Sequence, residues 1–150
     1  MSNNQNIVLS DVDIQIMALL VQDARQSFAV LGEKVGLSKT PCWNRVKRLQ
    51  EAGVIQGYSA KIDQAKLGLE IRALVHVVVE FSEYKAFEAA VQAHNSIHWC
   101  HAITGEFDYV MEVLSSNITE FDHLLRAELS GLPGVHRFTT SISTRVIKAA

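Results

Sequence analysis

The chain has 150 residues, 48% hydrophobic, 20% charged and 7% aromatic, with a formal net charge of −2. That length supports one domain or two small ones with a real core, while eight glycines and two prolines exclude a fibrous or low-complexity chain. Two cysteines, Cys42 and Cys100, are too few and too far apart for a disulfide-stapled scaffold. The longest clean apolar run, six residues from Ile16 to Val21, falls far short of the roughly 20 that a membrane span needs. The first residues carry neither the basic region nor the apolar stretch of a signal peptide, so a cytoplasmic protein without membrane contact is expected.

The small net charge conceals an uneven distribution. Residues 1–63 hold seven Lys/Arg against six Asp/Glu, whereas residues 64–150 hold seven against ten. Lys34, Lys39, Arg45, Lys47 and Arg48 follow one another with no acidic residue between them. Such a basic face suits a polyanion partner, but on charge alone a solvated helix face is the better reading.

The first third predicts three helices. Ser10 is an N-cap for Asp11 and Asp13, and Ile14, Met17, Ala18 and Val21 recur at helical spacing as far as Asp23. Phe28, Leu31 and Val35 give a second short helix that stops at Gly36, where a positive φ is tolerated. Ser38 caps the third helix, Pro41 sits in its first turn, Cys42, Val46 and Leu49 form its buried stripe, and Gly53 ends it. Residues 54–62 read as a wing-like hairpin around Gly57.

Two helices joined through Gly36-Leu37-Ser38 make a helix-turn-helix. With the stripe buried, Lys39, Thr40, Trp43, Asn44 and Lys47 project from the other side, flanked by Arg45 and Arg48. A helix presenting these groups can enter the major groove of double-stranded DNA and read base edges. Ser38, Arg45, Lys47 and Arg48 would meet phosphates, which fix register without reading sequence. The alternative is an ordinary helical hairpin with a cationic exposed side.

Residues 64–70 read as a linker, so the expected domains are 1–63 and 71–150. The second alternates strand and helix. Residues 71–81 form a β-branched strand with Ala73, Val75, Val77, Val79 and Phe81 on one face and Leu74 and Val78 on the other. Ser82 caps a helix through His94 that buries Phe87, Ala90, Val91 and His94, followed by strands at 97–104 and 107–114 around a tight turn at 105–108. Asn117 and Glu120 suggest a capping box for a helix to Ser130 burying Ile118, Phe121, Leu125 and Leu129, and residues 135–147 supply a fourth strand. The class is α+β. The order βαββαβ is the ferredoxin-like plan, with two helices on one sheet face. Because the first strand is apolar on both faces, the bare face is expected to pack on a second copy, giving a homodimer that also suits two DNA half-sites.

Gly36-Leu-Ser-Lys-Thr-Pro-Cys-Trp-Asn-Arg-Val-Lys-Arg-Leu49, Gly53-Val-Ile-Gln-Gly-Tyr58 and Thr104-Gly-Glu-Phe-Asp-Tyr109 resemble the Lrp/AsnC family, the feast/famine transcription regulators. The resemblance spans about residues 9–148 and lies nearer the leucine-responsive branch than the asparagine branch. It implies a winged helix-turn-helix joined to a βαββαβ effector domain. It also implies dimers assembling into larger rings, commonly octamers, with an amino acid bound in the effector layer.

An amino acid presents an ammonium, which needs an anionic or carbonyl acceptor, and a carboxylate, which needs N–H or hydroxyl donors. The Gly105 turn offers backbone N–H groups, and Glu106 and Asp108 offer carboxylates. The resemblance carries the effector site over to Thr104, Gly105, Glu106, Phe107, Asp108 and Tyr109; Thr140, on the last strand, is a further candidate. The alternative is a turn in which Gly105 serves only the backbone and both acids are solvated. Leucine and methionine are the effectors expected, with no cofactor besides. In His98-Trp99-Cys100-His101, strand alternation turns His101 away from His98 and Cys100, so no metal site is expected. No nucleophile arrangement or phosphate-cradling loop stands out, so an enzyme is not expected. The reading is an amino-acid-responsive, DNA-binding transcriptional regulator. Its competitors are a nucleoid-organising protein that wraps DNA with little ligand response, and a ferredoxin-like small-molecule-binding or enzymatic domain with a non-functional head.

Overall fold

The structure, a computed structural model, describes residues 7–148, and the chain divides into two compact units, Met1–Lys61 and Ile62–Ala150. The first unit is built from α1 (Asp11–Gln22), α2 (Phe28–Lys34) and α3 (Lys39–Glu51). Ser10 opens α1 with a full capping box: its side chain accepts from the Asp13 N–H, and the Asp13 carboxylate accepts from the Ser10 N–H at 2.9 Å. Ile16, Leu31, Cys42 and Val46 form the core, with Val12, Leu19, Leu20, Phe28, Val35, Leu37 and Ile55 packed against it. Cys42, Val46 and Leu49 are the buried face of α3, as the spacing predicts.

The expected stripe of α1 is corrected. Ile14 and Val21 are 53% and 87% exposed, and Ala18 is exposed too. The helix instead turns Asp13 and Ile16 inward, because the Asp13 carboxylate is held between two arginines of α3. A second correction concerns residues 54–62, which contain no strand and so no wing-like hairpin. The N–H groups of Val54 and Ile55 bond the Leu49 carbonyl at 2.9 and 3.1 Å, so the end of α3, not a strand partner, satisfies them.

The turn between α2 and α3 depends on a close approach. The Leu37 N–H donates to the Gly32 carbonyl at 2.8 Å, and a Cβ on Gly32 would stand 2.6 Å from the Leu37 carbonyl oxygen and 3.3 Å from the Cys42 Cβ. Gly36, at φ +71°, then reverses the chain in open space.

The second unit is β1 (Ile71–Val79), α4 (Tyr84–Ala93), β2 (Ile97–Ala102), β3 (Tyr109–Ser115), α5 (Ile118–Ala127) and β4 (Val135–Ile142). The sheet is antiparallel in the order β2-β3-β1-β4, the ferredoxin-like arrangement expected. One face carries Ala73, Val75, Val77 and Val79 with Tyr109, Met111 and Val113, packed against Phe87 and Val91 of α4 and Phe121 and Leu124 of α5. The other face, which neither α4 nor α5 covers, carries Leu74, His76 and Val78 of β1, opposite Glu112 and Val110 of β3. A register shift between Ile97 and Trp99 sets Trp99 opposite Glu112 on that face, its ring tilted against that of His101 at 5.1 Å, while Cys100 packs into the core on the helix side.

Several element ends differ from expectation. Phe81 is 86% exposed, because the chain leaves the sheet after Val79 into a one-turn 3₁₀ helix, Phe81–Glu83, and the strand alternation stops there. Ser82 therefore lies inside that turn and does not cap α4, whose N-cap is Glu83. Leu124, not Ile118, faces the core from α5, and Ile118 is 54% exposed in its first turn. The last strand ends at Ile142, since its partner β1 begins at Ile71 and the Ser143 N–H bond to the Arg72 carbonyl closes the ladder. No helix among the described residues is long and apolar enough to cross a membrane.

Gly32→Ala is expected to lower the stability of the helical unit by about 1–3 kcal/mol, the usual range for overpacking a close contact. Urea unfolding followed by far-UV circular dichroism checks it, and an unchanged helical transition would contradict the close approach.

Candidate functional site

In the helical unit the site is built on α3. Ser38 occupies the N-cap position, yet its side chain makes no capping bond. Pro41 stands at the third position of α3, which begins at Lys39, so one of the two N–H groups that a capping serine can accept from is missing. The Ser38 hydroxyl thus stays at the helix N-terminus, beside the backbone N–H groups of the first turn, where anions are favoured.

Lys39, Thr40, Trp43, Asn44 and Lys47 are all exposed, on the side of α3 away from Cys42, Val46 and Leu49. Trp43 is 43% exposed, and the Lys47 ammonium lies 5.1 Å from its ring centroid and 3.7 Å from Glu51 Oε1. Arg45 and Arg48 belong to a different setting. Arg45 Nη1 donates to Asp13 Oδ1 at 3.0 Å and to Ser10 Oγ at 3.1 Å, and Arg48 Nη2 donates to Asp13 Oδ2 at 2.6 Å. Both arginine side chains remain part exposed, at 34% and 48%, while the Asp13 side chain is fully buried.

Burial pushes the Asp13 carboxyl up, but the Ser10 backbone and hydroxyl bonds and the two arginines outweigh it and hold the carboxyl at about 2. Because this lies below the ordinary value of 3.8, the stability Asp13 contributes is complete above about pH 4 and lost as pH falls through about 2. The amount is about 2 kcal/mol. A carboxyl-carbon NMR titration is expected to place the Asp13 midpoint near 2, and a midpoint at or above 3.8 would contradict the cluster.

In the second unit the candidate loop runs between β2 and β3. The Ile103 N–H donates to the Asp108 carbonyl at 2.8 Å, and the Asp108 N–H donates to the Val77 carbonyl at 2.9 Å. One Asp108 carboxylate oxygen accepts from the Val79 N–H at 2.9 Å, so this acid fastens the loop to β1. Gly105, at φ +124°, makes a turn that a side chain would strain, and Thr104 and Gly105 are both exposed at its tip.

Glu106 and Phe107 come together with two residues that the sequence reading did not single out. Arg137 Nη1 lies 3.0 Å from Glu106 Oε1, the Arg137 guanidinium sits 4.9 Å from the Phe107 ring centroid, and Phe107 packs 5.4 Å from the His76 ring. Arg137 pairs opposite Val78 in the sheet, so this cluster belongs to the face that α4 and α5 leave bare. Only strand register brings it together; His76, a polar break in an apolar strand, was the sole signal in the sequence.

Tyr109 and Thr140 are placed elsewhere. The Tyr109 ring is buried on the helix side, 4.7 Å from Phe87, and its hydroxyl donates to Glu88 Oε1 at 2.9 Å. Burial first, then the Glu88 carboxylate, push this phenol up to about 12, so it remains a donor. Thr140 pairs opposite Val75 on the same helix-side face, away from Glu106 and Phe107. A separate open cleft of about 250 Å³ is lined by Ser96, Ser115, Ser116, Glu120, His123 and Glu128, among others, and by no residue of the candidate loop.

Residues 9–50 match the AsnC-type helix-turn-helix domain and residues 72–150 the Lrp/AsnC ligand binding domain. The chain is 36% identical over 143 residues to a proline dehydrogenase transcriptional activator of Rhizobium radiobacter, covering 93% of this chain and 92% of that one. It is 34% identical over 151 residues to the leucine-responsive regulatory protein of Haemophilus influenzae, covering 99% and 91%. Its fold superposes with a TM-score of 0.91 on a transcriptional regulator of Neisseria meningitidis in complex with L-Met, at 28% identity over 95% of this chain and 94% of that one. The chain therefore belongs to the Lrp/AsnC family, whose members are DNA-binding transcriptional regulators and not enzymes.

Proposed function

We propose that this chain regulates transcription in the cytoplasm by laying α3 in the major groove of double-stranded DNA, under the control of a small amino acid. The observation that carries the reading is the division of α3 into two faces: Cys42, Val46 and Leu49 are buried, while Lys39, Thr40, Trp43, Asn44 and Lys47 are exposed. Trp43 and Asn44 are the base-reading candidates, and Ser38, Lys47, Arg45 and Arg48 are the phosphate contacts. The relatives are named as regulators, which favours this reading over a nucleoid-organising protein that wraps DNA without a ligand response.

The effector is assigned to the loop at 104–109. Glu106 is the acceptor for its ammonium, and the N–H groups around Gly105 are donors for its carboxylate. A ligand ammonium then competes with Arg137 for Glu106, loosening the grip of β4 on the loop. Asp108 keeps the loop in shape through Val79. Leucine and methionine head the candidates, since one relative is named leucine-responsive and one similar structure holds L-Met.

The bare sheet face, with Leu74, Val78 and Val110, is the proposed homodimer surface, and dimers assemble further into an octamer. The ligand acts by binding one assembly or spacing of the DNA-binding units more tightly than another.

The test is a thermal-shift panel of the full chain against all twenty amino acids. A ligand at 100 times its Kd adds about 2.7 kcal/mol to the folded state. A small set including leucine or methionine is expected to raise the melting temperature, and Glu106→Gln is expected to abolish the shift. No response to any amino acid would sink the effector assignment and leave DNA binding standing.

A further inference from the structure

A carboxylate with no exposed surface is an unusual component of a helix-turn-helix core, and its ligation suggests what it does. Asp13 accepts four hydrogen bonds: from the Ser10 N–H at 2.9 Å, the Ser10 hydroxyl at 2.7 Å, Arg45 Nη1 at 3.0 Å and Arg48 Nη2 at 2.6 Å. The two arginines stand one turn apart on α3 and keep 34% and 48% of their side chains exposed. A guanidinium carries five N–H donors in a rigid fork, and each bond to Asp13 uses one terminal nitrogen. The remaining donors are therefore held in a fixed direction. With two cations and one anion, the cluster keeps a net positive charge.

We propose that Asp13 is a positioning residue for DNA binding: from inside the helical unit it orients the Arg45 and Arg48 forks toward backbone phosphates. The proposal rests on the assignment of those arginines to phosphates made above. An unordered arginine loses much side-chain freedom on meeting a phosphate, and a fork already ordered on a buried carboxylate loses less. Ser10 belongs to the same device, since its hydroxyl donates to Asp13 and accepts from Arg45 Nη1 at 3.1 Å. The opposite role is physically distinct. Were Asp13 there to neutralise the arginines, removing its charge would free two cations for DNA.

The experiment measures DNA affinity of the full chain against salt concentration on several unrelated duplexes, for the wild type, Asp13→Asn, Ser10→Ala and Arg48→Gln. For Asp13→Asn the expected result is a roughly tenfold loss that is equal on all duplexes, with the salt slope reduced by about one to two. Ser10→Ala is expected to show the same signature at smaller amplitude, and it carries the test should Asp13→Asn fail to fold. A merely structural role lowers the binding-competent fraction but leaves the slope unchanged, because molecules that do fold contact the same phosphates; that result overturns the proposal. A steeper slope or tighter binding in Asp13→Asn overturns it in favour of neutralisation. Arg48→Gln, which leaves Asp13 paired with Arg45, separates the two assumptions. An unchanged slope there shows the phosphate assignment itself to be wrong, whereas a reduced slope there with an unchanged one in Asp13→Asn shows that the arginines act without Asp13.

Discussion

The arrangement of the helical unit depends on one buried carboxylate. Asp13 sits at the third position of α1, close enough to the N-terminus for the helix dipole and the Ser10 box to favour its charge, and it is fully enclosed. Burying a single charge would be prohibitive without partners, and here the partners are two guanidiniums of α3. Satisfying Asp13 therefore fixes two geometries together: the rotation of α1 about its axis, and the face that α3 turns outward. With Arg45 and Arg48 drawn toward α1, Cys42, Val46 and Leu49 point into the core, and Trp43, Asn44 and Lys47 point away.

This dependence explains which parts of the unit were legible in the sequence. The stripe of α3 could be read directly, since Cys42, Val46 and Leu49 stand out in a helix that is otherwise polar apart from Pro41 and Trp43. That of α1 could not. Val12, Ile16, Leu19 and Leu20 give one apolar face, and Ile14, Met17, Ala18 and Val21 give another at equally good spacing. Hydrophobic periodicity cannot choose between them, and a rule that keeps charges outside chooses wrongly, because the decision lies with an aspartate whose partners are more than thirty residues away. The missing cap bond at Ser38 is subtler still. The serine and the proline are each apt for a helix start, but at this spacing the proline removes one of the two donors that the serine could accept from.

In the second unit the βαββαβ order was legible because turns and apolar runs alternate cleanly, and the errors gathered at element ends, where tertiary contacts decide. Phe81 continues the alternation of β1 in sequence, yet the chain has already turned out of the sheet. The candidate loop divides in the same way. Its turn was readable from Gly105, whereas the separate duties of its two acids were not. Asp108 reaches the Val79 N–H and Glu106 reaches Arg137, contacts that depend on pairings 29 and 31 residues apart.

That division of labour bears on how a ligand at the loop could act at a distance. Asp108 ties the loop to β1 through its N–H, which donates to the Val77 carbonyl, and its carboxylate, which accepts from the Val79 N–H, a connection with no obvious alternative state. Glu106 is tied by an exposed ion pair, 69% and 50% accessible on its two sides, of the kind that contributes little to stability and exchanges readily. The loop is therefore rigid at its base and switchable at its tip. The switchable contact also lies against Phe107, which packs on His76, on the same sheet face that the helices leave bare. In the proposed dimer that face is the one a second copy covers, so a ligand that takes Glu106 from Arg137 changes charge and packing at the edge of the interface. Differential binding of that kind is what a population shift requires. It needs no rearrangement of the sheet, only the release of one guanidinium.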